Sequence, residues 1–437
     1  MISDAEPSPE TNKQLFNLIS RRAKEQLNPQ KSRLNVANED EAAYVQAMHG
    51  HKLSAVTADQ YRYYILSESA QHALQRAANE LHALFMHATD YVLENQALLN
   101  KFNLPAAILP KIRQSWDNRL NELITSRFDF AMTPKGLKVY EYNCDSASCY
   151  MESAKIQGKW ARHYGVHEGL DSGKDLFNHL VNAWRKSKAK GLVHILYDND
   201  PEEKYHGLLI QQTLKSAGFE SKLICAISSL RWDSLGNILD EEGQLIHWVW
   251  KTWFWETALD QIRVQCELDQ AVAEKNNPLQ GQAPRLADVL RHKNMMIFEP
   301  LWTLIPSNKA ILPVLWSLFP NHPLLLHTDF VVNADLQASG YVSKPIVGRC
   351  GANIQVVNHS KDIIEEAGGE FAAQDQIYQA LFPLPLVDGY YVQVCAFTAA
   401  GKYAGSCLRV DSSMIISKDS DCMALRFVSD DYILNQS

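Results

Sequence analysis

Three oxygen-bearing side chains, Asp129, Glu141 and Asn143, lie in two short alternating runs. The runs are Arg127-Phe128-Asp129-Phe130-Ala131 and Leu137-Lys138-Val139-Tyr140-Glu141-Tyr142-Asn143, with the turn signal Thr133-Pro134-Lys135-Gly136 between them. Alternation on both sides of a turn predicts a β-hairpin. Side chains two apart on a strand share a face, so Arg127 goes with Asp129 and Glu141 with Asn143, while Tyr140 and Tyr142 share the opposite face. Two carboxylates and a neutral amide, without His or Cys, suit a hard cation such as Mg²⁺. Mg²⁺ fills its remaining positions with waters and phosphate oxygens, so such a site implies a nucleotide. Arg127 on the same strand could stabilise charge on a transferring phosphoryl group. A solvated polar strand face is the alternative that spacing alone leaves open.

Other candidates are spread along the chain. Cys144-Asp145-Ser146-Ala147-Ser148 follows the hairpin, and its small residues with two hydroxyls suit a backbone-lined pocket for a peptide carboxylate or, equally, a helix N-cap. Glu202-Glu203 follow an apolar strand, where two carboxylates could hold an ammonium group or simply favour a helix dipole. The run from His247 to Thr257 has four tryptophans, which reads as core contact, and Thr257 is unremarkable by itself. Lys309 and Lys344 sit among apolar residues, where a long cation either snorkels or binds phosphate. Gly348-Arg349-Cys350-Gly351 could be a loop whose N–H groups close over phosphates, although a hairpin turn looks the same. Neither a GxxxxGK[ST] loop nor a GxGxxG fingerprint occurs.

The elements that must position these residues are legible in outline. Apolar positions Leu74, Ala78, Leu81, Phe85, Ala88 and Val92 predict an amphipathic helix over 67–100, in one or two pieces, ended at Asn103-Leu104-Pro105. A second helix is expected over 109–125. Strand 191–197, a helix over 205–217 stopped by Gly218, and strand 222–227 make a βαβ-like unit. Residues 265–292 read as helical with a loop at Asn276-Asn277-Pro278, and 340–437 as an antiparallel meander with glycine turns. Residues 1–40 read as a polar, loosely ordered arm with a short helix at 12–26. The fold class is α+β, with a smaller α/β subdomain near 190–260.

Composition narrows the class. The chain has 437 residues, 46% hydrophobic and 21% charged, with a formal charge of −8, which suits a globular protein of more than one core. No basic run marks a nucleic-acid partner, and no apolar run or leader marks a membrane or secretory segment. The eight cysteines are scattered without a CxxC pair, so reduced thiols and a cytoplasmic setting are expected. No zinc-type histidine spacing occurs; His82 and His87 read as interhelix or surface residues.

Longer runs carry a resemblance. Arg127-Phe128-Asp129-Phe130, Tyr140-Glu141-Tyr142-Asn143, Asp145-Ser146-Ala147-Ser148, Trp250-Lys251-Thr252-Trp253, Asn308-Lys309-Ala310-Ile311-Leu312-Pro313, Lys344-Pro345-Ile346 and Gly348-Arg349-Cys350-Gly351 resemble the synthetase domain of the glutathionylspermidine synthetase family, to which trypanothione synthetases are related. The resemblance extends from about residue 45 to the end. It implies an ATP-grasp-like fold of the permuted, glutathione synthetase type over 41–437, with a lid near 340–437. It also implies ATP and Mg²⁺ as cofactors, and glutathione and spermidine joined through an acyl phosphate.

Position by position, the resemblance makes Asp129, Glu141 and Asn143 the Mg²⁺ ligands and Arg127 the arginine that stabilises the transition state. Arg127, Asp129, Lys309, Lys344, Arg349, Cys350, Gly351, Gln379, Arg409, Met414, Ile415 and Ile416 would contact ATP. Ser146, Ser148, Glu202 and Thr257 would face glutathione, and Glu203 and Asp421 the polyamine. The family's N-terminal amidase domain has no counterpart in the 45 preceding residues, so this chain is expected to make the amide and not to cleave it. Cys144 stands where a small residue is expected and could make activity redox-sensitive. A homodimer is compatible with the sequence. The alternatives are a ligase of the same family with another amine or peptide acid, and a nucleotide- or peptide-binding pseudoenzyme.

Overall fold

The computed structural model describes residues 13–23, 32–48, 53, 61–118, 123–273 and 283–435. Part of the expected N-terminal arm is built into the fold. After one helical turn at 13–15, strand β1 (Ile19–Arg22) runs antiparallel to β2 (Arg62–Ser67), and Leu15 and Leu18 are buried. The helix expected over 12–26 is therefore, where it is described, one helical turn followed by a loop and strand β1, with these two leucines covered in the core. The same sheet continues β2–β21 (Leu425–Val428)–β5 (Leu170–Asp171), which joins the two ends of the chain.

The hairpin forms as read. Strands β3 (Thr125–Thr133) and β4 (Gly136–Asn143) pair antiparallel, with Asp129 opposite Glu141 and Arg127 opposite Asn143. They extend a sheet ordered β20 (Asp421–Met423)–β19 (Lys402–Asp411)–β18 (Tyr390–Ala399)–β3–β4, with β17 (Leu386–Val387) on β18. One face of β3 is apolar. Phe128 stacks on Tyr142 at 3.9 Å, and Phe85 meets both rings edge-on at 5.7 and 5.1 Å. Phe85 belongs to the helix Glu68–Glu94, whose stripe of Leu74, Ala78, Leu81, Phe85, Ala88 and Val92 is fully buried and whose N-cap Ser67 accepts from the Ala70 N–H. Burial of each such ring contributes about 1.5–3 kcal/mol, and this fixes which hairpin face is left for Arg127 and Asp129.

One alternation expectation fails. The register shifts between Asp129 and Phe130, so Tyr140 is an extra residue on β4. Such a bulge turns its residue towards its neighbour's face. Tyr140 therefore lines the same cavity as Glu141, while Tyr142 stays in the core.

The α/β unit is a parallel sheet, β11 (Met296–Phe298)–β10 (Trp248–Lys251)–β6 (Leu192–Tyr197)–β7 (Glu220–Cys225). Its crossover helix Pro201–Ala217 starts at the N-cap Asp200 and stops at Gly218, with φ 95°. A small hairpin, β8 (Arg231–Trp232) with β9 (Ile238–Leu239), lies beside it. The helix Trp255–Ala273 starts ten residues before the predicted 265, and the loop expected at 276–278 lies outside the described residues. The helix expected over 109–125 ends at Asp117. By Ile124 and Thr125 the backbone N–H groups donate to Glu299, so the chain has already entered the sheet.

The last third is not one meander. Strands β12 (Thr328–Asp329), β13 (Tyr341–Pro345), β14 (Gln355–Val357), β15 (Ile363–Glu366) and β16 (Gln376–Ala380) form their own antiparallel sheet, ordered β12–β16–β13–β14–β15. Strands β18 to β20 instead join β3, with Cys395 opposite Asp129 and Phe397 opposite Arg127, and β21 joins β2. Local alternation marks a strand but not its partner.

Two buried charge groups tie these parts together. Lys251 at the end of β10 is fully buried; its Nζ lies 2.5 Å from Asp145 Oδ1, 2.7 Å from the Trp253 carbonyl and 3.2 Å from Ser146 Oγ. Asp145 Oδ2 accepts the Trp255 N–H at 2.6 Å. The pair anchors the segment after β4 to the parallel sheet. Elsewhere, Glu41 on the helix Glu39–Ala47 is held by Lys159 at 2.7 Å and Lys155 at 3.0 Å.

Two outcomes are expected. Lys251→Met strands a desolvated Asp145 carboxylate, so denaturant unfolding should show a loss of about 3–5 kcal/mol, largely recovered by adding Asp145→Leu. A loss below about 1 kcal/mol would mean the pair behaves as a surface bridge. Burial pushes the Glu41 carboxyl up, but Lys159, Asn38, Asn35 and Lys155 outweigh it and bring it from 4.5 to about 2. A depressed acid stabilises the fold fully above its unfolded value. That contribution is lost as pH falls from about 4.5 towards about 2. Glu41→Gln should therefore flatten the decline of Tm across that window.

Candidate active site

The polar face of the hairpin is a single hydrogen-bonded array. Arg127 Nε and Nη2 bind Asp129 Oδ1 and Oδ2 at 2.7 and 2.9 Å, a bidentate pair. Arg127 Nη1 also donates to the Ser148 carbonyl at 3.1 Å and to its hydroxyl at 3.3 Å. The Asn143 amide nitrogen reaches both Asp129 Oδ2 and Glu141 Oε1, each at 3.2 Å. Glu141 Oε2 lies 3.0 Å from Lys309 Nζ, which also donates to the Gly348 carbonyl at 2.9 Å. Burial favours the neutral acid, but Lys309 and then Lys344 draw the Glu141 carboxyl down to about 2. Lys344 donates to Gln379 Oε1 at 2.6 Å and lies 5.0 Å over the Tyr140 ring. Burial lowers its ammonium to about 8, with Glu141 opposing the shift and Lys309 adding to it.

These residues line one cavity between the six-stranded sheet and the sheet that contains β13 and β16. Its floor is Arg127, Asp129, Tyr140, Glu141 and Asn143, with Ser146 and Ser148 from the following segment. Lys309, Lys344 and Gln379 stand opposite, and Arg349, Cys350 and Gly351 close over it. Gly351 has φ +72°, and a Cβ there would meet Ile415 Cγ2 at 2.5 Å, so this close approach requires glycine. Arg409, Met414, Ile415 and Ile416 complete the far wall, and Glu202 lines the rim. The backbone N–H groups of Met414 and Ile415 are engaged by Glu365 and by Ser413 Oγ, each at 3.0 Å.

Three expected site residues do not line this cavity. Thr257 lies in a neighbouring one with Glu256, Asp260 and Glu370, and accepts from Arg349 Nη2 at 3.1 Å. Arg349 borders both cavities, and its guanidinium sits 4.0 Å over the Phe254 ring. Glu203 Oε2 accepts the Asp198 N–H and the Thr252 hydroxyl, each at 2.6 Å, so that oxygen fastens the start of the crossover helix to β10. Asp421 is buried in β20 opposite Val410. Both acids match the sequence pattern expected for polyamine binding, but the pattern cannot say which way a side chain turns.

Cys144 corrects another expectation. It points away from Asn143 into the core, 3.2 Å from the Ser307 hydroxyl, and burial holds its thiol well above the usual range. A protonated, inaccessible thiol is a poor redox sensor. Conversely, sequence reading passed over Glu152, Cys149 and Cys422, which all line the cavity. Glu152 stands on a π-helical turn, Glu152–Ile156, and that geometry has no signature in a mixed run such as Met151-Glu152-Ser153-Ala154-Lys155.

Comparison with known proteins gives the same direction. The family model described as glutathionylspermidine synthase preATP-grasp matches residues 27–428. The bifunctional glutathionylspermidine synthetase/amidase of Escherichia coli K12 is 46% identical over 379 residues, covering 87% of this chain and 61% of that protein. Trypanothione synthetase of Crithidia fasciculata is 37% identical over 354 residues, covering 79% and 54%. A putative acid–amine ligase of Haemophilus influenzae is 26% identical over 377 residues, covering 81% and 87%. The chain thus spans about three fifths of the E. coli protein's length. With a match that runs from residue 27 to 428, the chain belongs to the glutathionylspermidine synthase family.

Proposed function

We propose that this chain is an ATP- and Mg²⁺-dependent ligase that joins the glycine carboxylate of glutathione to an amine of spermidine. The observation that carries the reading is the register of the hairpin. Asp129 faces Glu141, and one Asn143 amide touches both, in one cavity with Lys309, which pairs with Glu141, and Lys344. The names of the relatives favour the substrate pair.

The donor set fits a magnesium ion. Among the described residues no cluster of three or more His, Cys, Asp or Glu could hold a metal, so a cation here would rest on two carboxylates, an amide and ligand oxygens. That is how Mg²⁺ prefers to be bound. Asp129, Glu141 and Asn143 would hold it, and it would neutralise charge between the phosphate oxygens. Lys309 and Lys344 would take the phosphates, and Lys344 already reaches across to Gln379. Val342, Ile354 and Leu384 supply apolar surface of the kind a base ring stacks on. Arg127, bonded to Ser148, ties the phosphoryl end to the segment Ser146–Ser148, which would orient the peptide carboxylate. Transfer of the γ-phosphoryl group to that carboxylate gives an acyl phosphate, and the amine then displaces phosphate.

The same reading supports a permuted ATP-grasp arrangement over 41–437. The ligand-bearing hairpin precedes Lys309 and Lys344 in the chain, the subdomain near 190–260 corresponds to the parallel sheet, and the strands from β12 to β16 act as the lid. No helix among the described residues is long and apolar enough to cross a membrane, and the described cysteines are free, in keeping with a cytoplasmic setting. The amine is the least constrained part, because Glu203 and Asp421 lie off the cavity; a different amine is the second reading.

A coupled ADP-release assay with glutathione and a panel of amines tests this. ADP formed with spermidine alone is the expected result, ADP with another amine selects the second reading, and nucleotide binding without turnover overturns both. Glu141→Gln should cut turnover about 10²–10³-fold, the loss typical of one transition-state charge contact. Turnover within about 3-fold of wild type would remove Glu141 from the metal assignment.

A further inference from the structure

Glu152 is the cavity's unassigned acid. Its side chain is buried, with the residue only 3% exposed, yet it lines the same cavity as Arg127 and Ser148. Oε1 accepts the Tyr205 hydroxyl at 2.9 Å, while Oε2 has no hydrogen-bond partner among the described residues. The imidazole of His206 lies 3.8 Å from Oε2, and its Nε2 is likewise without a hydrogen bond. The His206 pair at 3.8 Å is too long for a hydrogen bond, so Oε2 keeps an open acceptor position for a donor that arrives from the cavity.

Position narrows what that donor is. The turn that presents Glu152 begins where the Ser153 N–H bonds to the Cys149 carbonyl, one residue past the Ser148 carbonyl that Arg127 holds. Glu152 therefore stands about one helical turn, roughly 5 Å of axis, from the segment that would orient the peptide carboxylate. Glu152 opens a π-turn, a local geometry that recurs at working sites. Glu202 lines the same part of the cavity, and Arg409, also there, already donates to the Ser417 carbonyl. An acid pair with Tyr205 and His206 rings behind it suits a cation with several N–H donors.

We propose that Glu152 holds the attacking ammonium group and receives the proton it must shed, with His206 behind it as the partner that shares that proton. This rests on the ligase reading above. The step balances. An alkylammonium gives one proton to Glu152 Oε2 and becomes a neutral amine. Its lone pair forms the C–N bond at the acyl carbon, and the C–O bond to phosphate breaks with its electron pair going to the phosphate. The second nitrogen proton leaves with the phosphate as hydrogenphosphate. His206 fits its part: burial pulls its protonation down, but the Glu152 carboxylate outweighs this and raises it above the ordinary value.

The test compares two nucleophiles. Hydroxylamine is neutral near pH 7 and captures an acyl phosphate as a hydroxamate without having to lose a proton first. With glutathione and Mg·ATP, Glu152→Gln should slow the spermidine reaction about 10²–10⁴-fold, the range for losing a general base, while hydroxamate formation falls by less than about 5-fold. Glu152→Asp, which keeps the charge but withdraws it by one methylene, should show the same split in smaller degree and guards against misfolding of the first variant. Equal losses with both nucleophiles would make Glu152 merely structural and overturn the proposal, as would unchanged spermidine turnover. If wild-type protein turns over neither spermidine nor hydroxylamine, it is the ligase reading that fails, which separates the two.

Discussion

The site depends on the bidentate bond between Arg127 and Asp129. Both groups are almost fully buried, and neither could stay charged there alone. The bond aligns the two side chains along the sheet surface, and the remaining nitrogen of the same guanidinium fixes Ser148. Asn143 then carries the constraint across the strand pair to Glu141, and Lys309 carries it out of the sheet to the Gly348 loop. Four separate stretches of chain are thereby set relative to one another by charge pairing. The hydrophobic effect could not do this, because it is not directional.

What permits so much charge on one face is the apolar face behind it. Phe128, Tyr142 and Phe85 form a three-ring contact, and Phe128 and Phe130 alternate with the charged residues of β3. A one-residue slip of the hairpin would put Arg127 and Asp129 against the helix Glu68–Glu94 and expose both phenylalanines. The long helix therefore specifies the site without touching it. The bulge at Tyr140 is where the hairpin departs from the pleat, and it gives Lys344 an aromatic surface beside Glu141.

The hairpin, its turn, the long helix and the βαβ unit were legible because their signals are local: period two, period 3.6, and Gly218 at the end of a helix, although the cap at Asp200 that starts that helix at Pro201 rather than 205 was not read. The convergence of Asp129, Glu141 and Asn143 was legible for the same reason. Pairings over long separation were not. Nothing in the run around Phe397 says that it lies beside Arg127, and nothing in Trp250-Lys251-Thr252 says that Lys251 is buried on Asp145. Side-chain direction outside regular elements was also beyond reach. Glu203 turns to Thr252 and Thr257 to Arg349, and Glu152 faces the cavity from the start of a π-helical turn.

The charge pairing also bears on how the proposed site would fill. Glu141 is neutralised by Lys309 and Asp129 by Arg127, so a bare divalent ion would have to compete with two cations already in place. Triphosphate alone would meet two carboxylates. On the proposed ligase reading, an ion carried in on the nucleotide would avoid both conflicts, because Glu141 would exchange Lys309 for the metal and the freed ammonium would meet a phosphate. Lys309 is bonded to the Gly348 carbonyl, so such an exchange would bear directly on the loop whose Gly351 packs against Ile415.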